Sequence, residues 1–367
     1  MTETNAKPFG RFFMPGPTEV RPEVLAAMTR PMIGHRVKEM EELIGYIQPR
    51  LRNVFGTARP VYISASSATG LMEGAVRNGA RRKVLSLVNG AFSGRFFQIA
   101  KANGLEADAL EVKWGQVHTP EMLERALKQG SYDAVTVVHS ETSTGALNPA
   151  RELAEVVHAA GDVVILVDTV SSMAGAEFRT DEWGIDFVLT GSQKSFALPP
   201  GLAFGVAQEN ILERAKAKAD RGIYFDFLEF EKNIQGNQTP NTPAVSLLFA
   251  LRAQVELMEQ EGLEARLARH RAMAERVWGW VDEMREEKGC NLRVLAPEGY
   301  RAPTVTCITL PEGWTGPKLY AAVRQKGFEI ATGYGLMREP TFRIGHMGDH
   351  TLAGVNHLLE VLEEVLL

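Results

Sequence analysis

Lys194 stands in "TGSQKSFALPPGLAF", directly after the apolar run "DFVLTG". An ammonium at the end of a buried strand is costly unless it is paired, reaches water or is chemically bonded. Asp168 ends a second apolar run, "VVILVD". The run "AVTVVHSETSTG" leads into Ser140, Thr142, Ser143 and Thr144, and "KVLSLVNGAF" ends at Phe92. "VYISASSATG" supplies Ser67, Ala68 and Thr69 ahead of a helix. An amine, a carboxylate, an aromatic ring, hydroxyls and a helix N-terminus can together hold a planar, cationic heteroaromatic ring that bears a phosphate and an aldehyde. The amine condenses with the aldehyde. The carboxylate keeps the ring nitrogen protonated, so the ring draws electrons. The aromatic side chain stacks on one face, and hydroxyls and helix amides take the phosphate.

Each residue alone has a plainer reading. Asp168 caps a turn, Phe92 fills core, Ser67 caps a helix, Lys194 snorkels to solvent, and "SETSTG" is a polar loop. Their coincidence at successive strand ends favours a shared site. Two other phosphate motifs fail: "GSQKS" lacks the glycine spacing of a Walker A loop, and no G-x-G-x-x-G follows a strand.

These residues need elements to place them. From about residue 60 to 208, apolar β-rich runs alternate with amphipathic segments such as "PEMLERALKQG" and "ARELAEVVHAAG". The runs are "PVYIS", "KVLSLVN", "DAVTVVHS", "VVILVDT", "DFVLTG" and "LAFGVA". Apolar throughout, they predict an α/β fold with a mostly parallel sheet covered on both faces. Ligands of such sheets bind beyond the carboxyl ends of the strands. Residues 242–287 predict two long helices broken near Gly262, with Thr242 as the N-cap and Pro243 at the first helical position. "LRVLAP", "TVTCITLP", a helix near 315–326, "FEIATG", "TFRIG" and a last helix from about 351 predict a small α+β domain. The expected division is an N-terminal arm and large domain over 1–255, and a small C-terminal domain over 256–367.

Composition bounds the function. With 45% hydrophobic and 23% charged residues, the chain reads as soluble and globular. A net charge of −5 argues against nucleic acid as a partner. Cys290 and Cys307 make neither a disulfide framework nor a common zinc motif, so no metal is expected and a reducing compartment, the cytoplasm, is. The opening "MTETNAKPFGRFFMPGP" is expected to be an ordered arm, not a signal peptide. No apolar run is long enough to span a membrane.

The chain resembles the class V aminotransferases of pyridoxal-phosphate fold type I, and within them the alanine/serine–glyoxylate branch. "MPGPTEV", "NGAFSGR", "HSETSTGALNP", "LVDTVSSMAG", "GIDFVLTGSQKSFALPPGLAF", "QTPNTPAVSLLFAL" and "FRIGHMG" carry the resemblance over nearly the whole chain. It implies pyridoxal 5'-phosphate as cofactor, Lys194 as its covalent anchor and proton shuttle, Asp168 on the pyridine nitrogen and Phe92 on the ring. Ser143 would bond the phenolic oxygen region, and Gln193 with Ser67, Ala68 and Thr69 the phosphate. Thr239 and Thr242 would reach the phosphate of a second subunit's cofactor, making a homodimer with shared sites. Arg343 would pair with the substrate α-carboxylate, a geometry that suits guanidinium; its plainer reading is a surface salt bridge. The implied reaction is ping-pong transfer from alanine or serine to glyoxylate or pyruvate. Phosphoserine with 2-oxoglutarate is the alternative, if His35, Arg36 and Arg338 serve a substrate phosphate. A cysteine desulfurase is disfavoured, because no Cys lies between Cys307 and Arg343. A silent subunit that kept the fold is the reading from another class.

Overall fold

The computed structural model describes residues 9–367; the expected ordering of the first eight residues therefore lies outside the described residues. Two helices, α1 (Pro22–Ala27) and α2 (Lys38–Phe55), precede the main alternation. It runs β1 (Tyr62–Ser64), α3 (Ala68–Gly79), β2 (Lys83–Val88), α4 (Ala91–Ala102), β3 (Glu106–Glu111), α5 (Pro120–Gln129) and β4 (Ala134–Val138). A short hairpin, β5 (Ser140–Glu141) and β6 (Ala146–Leu147), leads to α6 (Ala150–Ala159), β7 (Val164–Asp168), β8 (Phe187–Gly191) and β9 (Ala203–Ala207). Helices α7 (Glu209–Lys216), α8 (Phe227–Ile234), α9 (Val245–Glu261) and α10 (Leu263–Glu286) follow. The remainder is β10 (Arg293–Val294), β11 (Thr306–Thr309), α11 (Gly316–Gln325), β12 (Ala331–Thr332), a 3-10 turn (Gly335–Met337), β13 (Thr341–Ile344) and α12 (Leu352–Leu366).

The seven-stranded sheet has the order β1-β9-β8-β7-β4-β2-β3. Strands β3, β2, β4, β7 and β8 are parallel, while β9 is antiparallel to both neighbours. The ends of β1, β2, β4, β7 and β8 therefore open on one edge, as the alternating pattern requires. Strands β4, β7, β8 and β9 are buried along their whole length, because helices cover both faces. Strand β3, "EADALE", escapes the apolar pattern because it is the sheet's edge, and none of its residues is fully buried.

Two main hydrophobic cores emerge. One surrounds the large sheet and extends to Met258 of α9. The other joins α10, α11 and α12 to the antiparallel sheet β10-β11-β13-β12. Each fully buried Leu, Ile, Val or Phe in them contributes roughly 1.5–3 kcal/mol. Phe13 belongs to the second core although it lies near the start of the chain. Its amide donates to Glu329 O (2.7 Å) and its carbonyl accepts from Gly345 N (2.8 Å). Helix α9 begins at Val245 with Ala244 as N-cap, two residues beyond the predicted start. Thr242 is therefore not the cap: it is exposed in the segment leading to the helix.

Candidate active site

The aligned strand ends enclose a cavity of about 330 Å³ lined by Lys194, Asp168, Gln193, Phe92, Ser67, Ala68 and Thr69, among others. Lys194 is 6% exposed. Its Nζ donates to Pro15 O (2.6 Å) and Thr142 Oγ1 (3.3 Å), and lies 5.4 Å from the centroid of the Phe92 ring. Both acceptors are neutral. Burial, reinforced by the Arg343 guanidinium, pulls the amine down to about 7, against the opposing pull of Asp168 and Glu141. A buried amine that gives up its proton near pH 7 can serve as a nucleophile and a base.

The loop carrying Lys194 is pinned by the N-terminal arm. Thr18 N donates to Gln193 O (2.9 Å) and Thr18 Oγ1 to Lys194 O (3.1 Å). Gly16 (φ +115°) passes so close that a Cβ there would lie 2.5 Å from Lys194 Cε. Asp168 Oδ1 accepts from Val170 N (2.7 Å), so the turn-capping reading holds alongside its place in the cavity wall. Burial pushes the Asp168 carboxyl up to about 6, with the Val170 amide opposing.

The N-terminus of α3 presents donors. Ser67 occupies the N-cap position, but its side chain makes no capping bond. The first amides of a helix have no intrahelical partner, and Ser67, Ala68 and Thr69 all line the cavity. Arg95, one turn beyond Phe92 on α4, lines the same cavity and reaches toward Thr69 Oγ1 (3.5 Å). Ser140 Oγ also belongs to the wall; it is buried and has no hydrogen-bond partner.

Ser143 is a correction. Its Oγ donates to Glu141 Oε1 (2.6 Å) and accepts from Ala91 N (3.1 Å), and it is not among the cavity-lining residues. Thr142, one position earlier, takes the cavity side instead. The reason is Glu141, a fully buried carboxylate that accepts from Phe92 N, Ser93 N, Ser93 Oγ and both Ser143 donors. It binds the N-terminus of α4, where negative charge is favoured, and turns Ser143 inward. Gly90 makes this approach possible, since a Cβ there would meet Glu141 Cγ at 2.4 Å.

Arg343 is no surface salt bridge. It is 7% exposed, and its Nε and Nη1 donate to Thr332 O (3.0 Å) and Thr142 O (3.2 Å). Its guanidinium lies 5.5 Å from the Tyr334 ring centroid. Thr239 and Thr242 do not join the Lys194 cavity. They line a separate surface groove with Ile63, Ser64, Ala65 and Tyr224. Thr239 Oγ1 donates to Asn241 O (2.7 Å). Arg36 is spent on that same loop, donating to Gln238 Oε1, Thr239 O and Pro240 O. Neither His35, Arg36 nor the exposed Arg338 lines the Lys194 cavity. Cys307 is buried, and its thiol is pushed up to about 11 by burial.

Arg266 links the Lys194 loop to three other segments. It is 1% exposed and sits in the first turns of α10. It donates to Ser195 O (2.8 Å), Ala174 O (3.2 Å), Glu261 (2.9 Å) and Asp349 (2.8 Å). It thus ties the loops after β7 and β8 to the α9–α10 joint and to the segment after β13. Nothing in "EARLARHRAMAER" distinguishes it from a surface arginine.

An amine-bearing wall, a buried acid, an aromatic face, uncapped helix amides and an unpartnered serine hydroxyl match the donor set that pyridoxal phosphate needs. Residues 13–341 match the family model for aminotransferase class V. The chain is 40% identical to an uncharacterized aminotransferase of Methanocaldococcus jannaschii, over 91% of this chain and 87% of that protein. It is 33% identical to a serine–glyoxylate aminotransferase of Methylorubrum extorquens, over 95% and 89% respectively. The crystal structure of an alanine–glyoxylate aminotransferase from a Nostoc species superposes with a TM-score of 0.91 at 28% identity, covering 100% of this chain and 98% of that one. Fold, cavity and kinship agree: this chain belongs to the class V aminotransferases, fold type I enzymes whose cofactor is pyridoxal phosphate.

Proposed function

We propose that the enzyme moves an amino group from alanine or serine to glyoxylate or pyruvate by a ping-pong mechanism. The observation that carries the reading is a buried, neutral-poised Lys194 sharing one cavity with a buried Asp168, with Arg343 close enough to depress the amine. The relatives named for glyoxylate transfer support the substrate class. Bound here, pyridoxal phosphate supplies an electron sink and carries the amino group between the two half-reactions.

The chain's own residues do the rest. Lys194 would anchor the cofactor and, once its amine is free, would carry the proton from the substrate Cα to the cofactor C4′, and in the reverse direction in the second half-reaction. Pro15 O and Thr142 Oγ1 give that amine a resting place without quenching it. Asp168 would hold a proton at the ring nitrogen, Phe92 would stack on the ring, and Gln193, Ser67 and the amides of Ala68 and Thr69 would hold the phosphate. Arg343, with two nitrogens fixed by carbonyls, presents its guanidinium to the substrate carboxylate. The phenolic oxygen falls to Thr142 rather than Ser143.

The groove holding Thr239 and Thr242 supports a homodimer in which it receives the partner's cofactor phosphate. Exposed Ile223 (86%) and Tyr224 (44%) supply apolar surface beside it. The two hydrophobic cores support a large and a small domain, expected over 1–255 and 256–367, although Met258 of α9 packs in the first core and Phe13 of the arm in the second. Two free, buried cysteines support a reducing cytoplasmic setting; among the described residues no helix is long and apolar enough to cross a membrane.

The test is to load the enzyme with cofactor, add single amino acids and follow the cofactor's absorbance, then restore it with a panel of 2-oxo acids. Alanine or serine should discharge it and glyoxylate or pyruvate should restore it. Discharge by phosphoserine alone, restored by 2-oxoglutarate, would overturn the assignment.

A further inference from the structure

The contacts around Phe92 continue to Arg343 through one further side chain. Lys194 Nζ lies 5.4 Å from the Phe92 ring centroid; Phe92 lies 5.4 Å from the Tyr334 ring, tilted by 39°; and Tyr334 lies 5.5 Å from the Arg343 guanidinium. A substrate whose amino group is handled at Lys194 and whose carboxylate pairs with Arg343 has to span the gap that Phe92 and Tyr334 flank, which brings its side chain within reach of the Tyr334 ring.

Tyr334 is held in place. It is the N-cap of the 3-10 turn Gly335–Met337, and its carbonyl accepts from Met337 N (2.9 Å). The loop is closed by Gly333 N donating to Thr341 O (2.9 Å) and Thr341 Oγ1 to Met337 O (2.7 Å). Tyr334 itself is 37% exposed, and its ring contacts with Phe92 on one side and the Arg343 guanidinium on the other, a cation–π pair, hold it at the rim of the site. A side chain so anchored acts as a wall, and packed aromatic walls discriminate by methylene count.

We propose that Tyr334 determines specificity by limiting the length of the substrate side chain, so that the site takes two- and three-carbon 2-oxo acids and excludes longer ones. This rests on the aminotransferase reading and on Arg343 as carboxylate anchor. Tyr334 and Arg343 stand beside the Lys194 cavity rather than in its wall, and the arginine in that wall, Arg95, is turned toward Thr69 at the start of α3.

The experiment compares wild type, Tyr334→Ala and Tyr334→Phe on glyoxylate, pyruvate, 2-oxobutanoate, 2-oxopentanoate and 2-oxohexanoate. In parallel, calorimetry measures binding of the unreactive acids acetate, butanoate and hexanoate to each loaded protein. Wild type should lose about tenfold or more in kcat/KM between pyruvate and 2-oxopentanoate. Tyr334→Ala should recover about tenfold on the two longest acids through KM, and should bind hexanoate about tenfold more tightly than wild type. Tyr334→Phe should keep the wild-type order. A Tyr334→Ala profile parallel to wild type in both series overturns the inference. Wild type that turns over none of the acids overturns the aminotransfer reading instead, and the calorimetric series still decides the role of Tyr334.

Discussion

Gly16→Ala isolates how the N-terminal arm positions the catalytic amine. Gly16 sits at φ +115°, and an added Cβ would lie 2.5 Å from Lys194 Cε and 2.6 Å from its Cδ. Contacts become ordinary at 3.4 Å, so the methyl forces the lysine stem aside by about 1 Å. A displacement of about 1 Å at a reacting group can cost about 100-fold in rate, or about 2.7 kcal/mol in barrier. The unusual φ adds roughly 1–3 kcal/mol of backbone strain. Gly10→Ala separates the two effects, because Gly10 (φ +92°) also carries positive φ, yet a Cβ there meets nothing within 4 Å. The assay is stopped-flow discharge of the loaded enzyme by alanine, with cofactor affinity measured alongside. Gly16→Ala should fall about 100-fold while Gly10→Ala stays near wild type. Equal rates for Gly16→Ala and wild type, at unchanged cofactor affinity, refute the positioning argument.

The folded-state pKa of Lys194 lies below its ordinary value of 10.5, so its burial costs nothing above that pH and progressively more as pH falls toward about 7. Without cofactor, the thermal midpoint of wild type should therefore drop between pH 10.5 and 7 relative to Lys194→Met, and the gap should be flat below 7. Asp168 works in the opposite direction. Its raised pKa means a cost that is absent below about 3.8 and complete above about 6, so Asp168→Asn should stabilise the cofactor-free protein at pH 7 to 8 as judged by the same melts. Arg266→Met leaves Asp349 and two loop carbonyls short of a donor. Breaking a buried pair in this way costs roughly 3–5 kcal/mol, which urea titration should report, and Asp349→Asn should lose less, since Gln254 and Arg21 still face that position.

The strand ends were readable because each apolar run terminates at a residue that cannot continue it cheaply. Asp168, Lys194, Phe92 and Ser67–Thr69 converge in the structure because β1, β2, β7 and β8 open on one edge. Strand β3 was invisible because an edge strand needs no unbroken apolar run. Ser143 against Thr142 turned on which way one residue of a hairpin faces, decided by Glu141 and the α4 amides, a contact that local pattern does not encode. The same holds for Arg266, whose partners come from four separate segments, and for Arg36, spent on carbonyls some two hundred positions away. Arg343 was legible as a candidate, but its burial follows from the pairing of β13 with β11 and β12.

The arm from Gly10 to Thr18 binds both extremes of the chain to the lysine. Phe13 is clasped by Glu329 and Gly345, and two residues later Pro15 holds the Lys194 amine. Loops spanning nearly the full length close late, since their entropy must be met before their contacts form. On the ribosome, then, Lys194 emerges and its sheet can assemble long before the clasp on Phe13 exists. Until β13 has been made, the arm that brings Pro15 to the amine lacks the Glu329 and Gly345 halves of its clasp, so the chain's final fifth completes the positioning of a residue it does not contain.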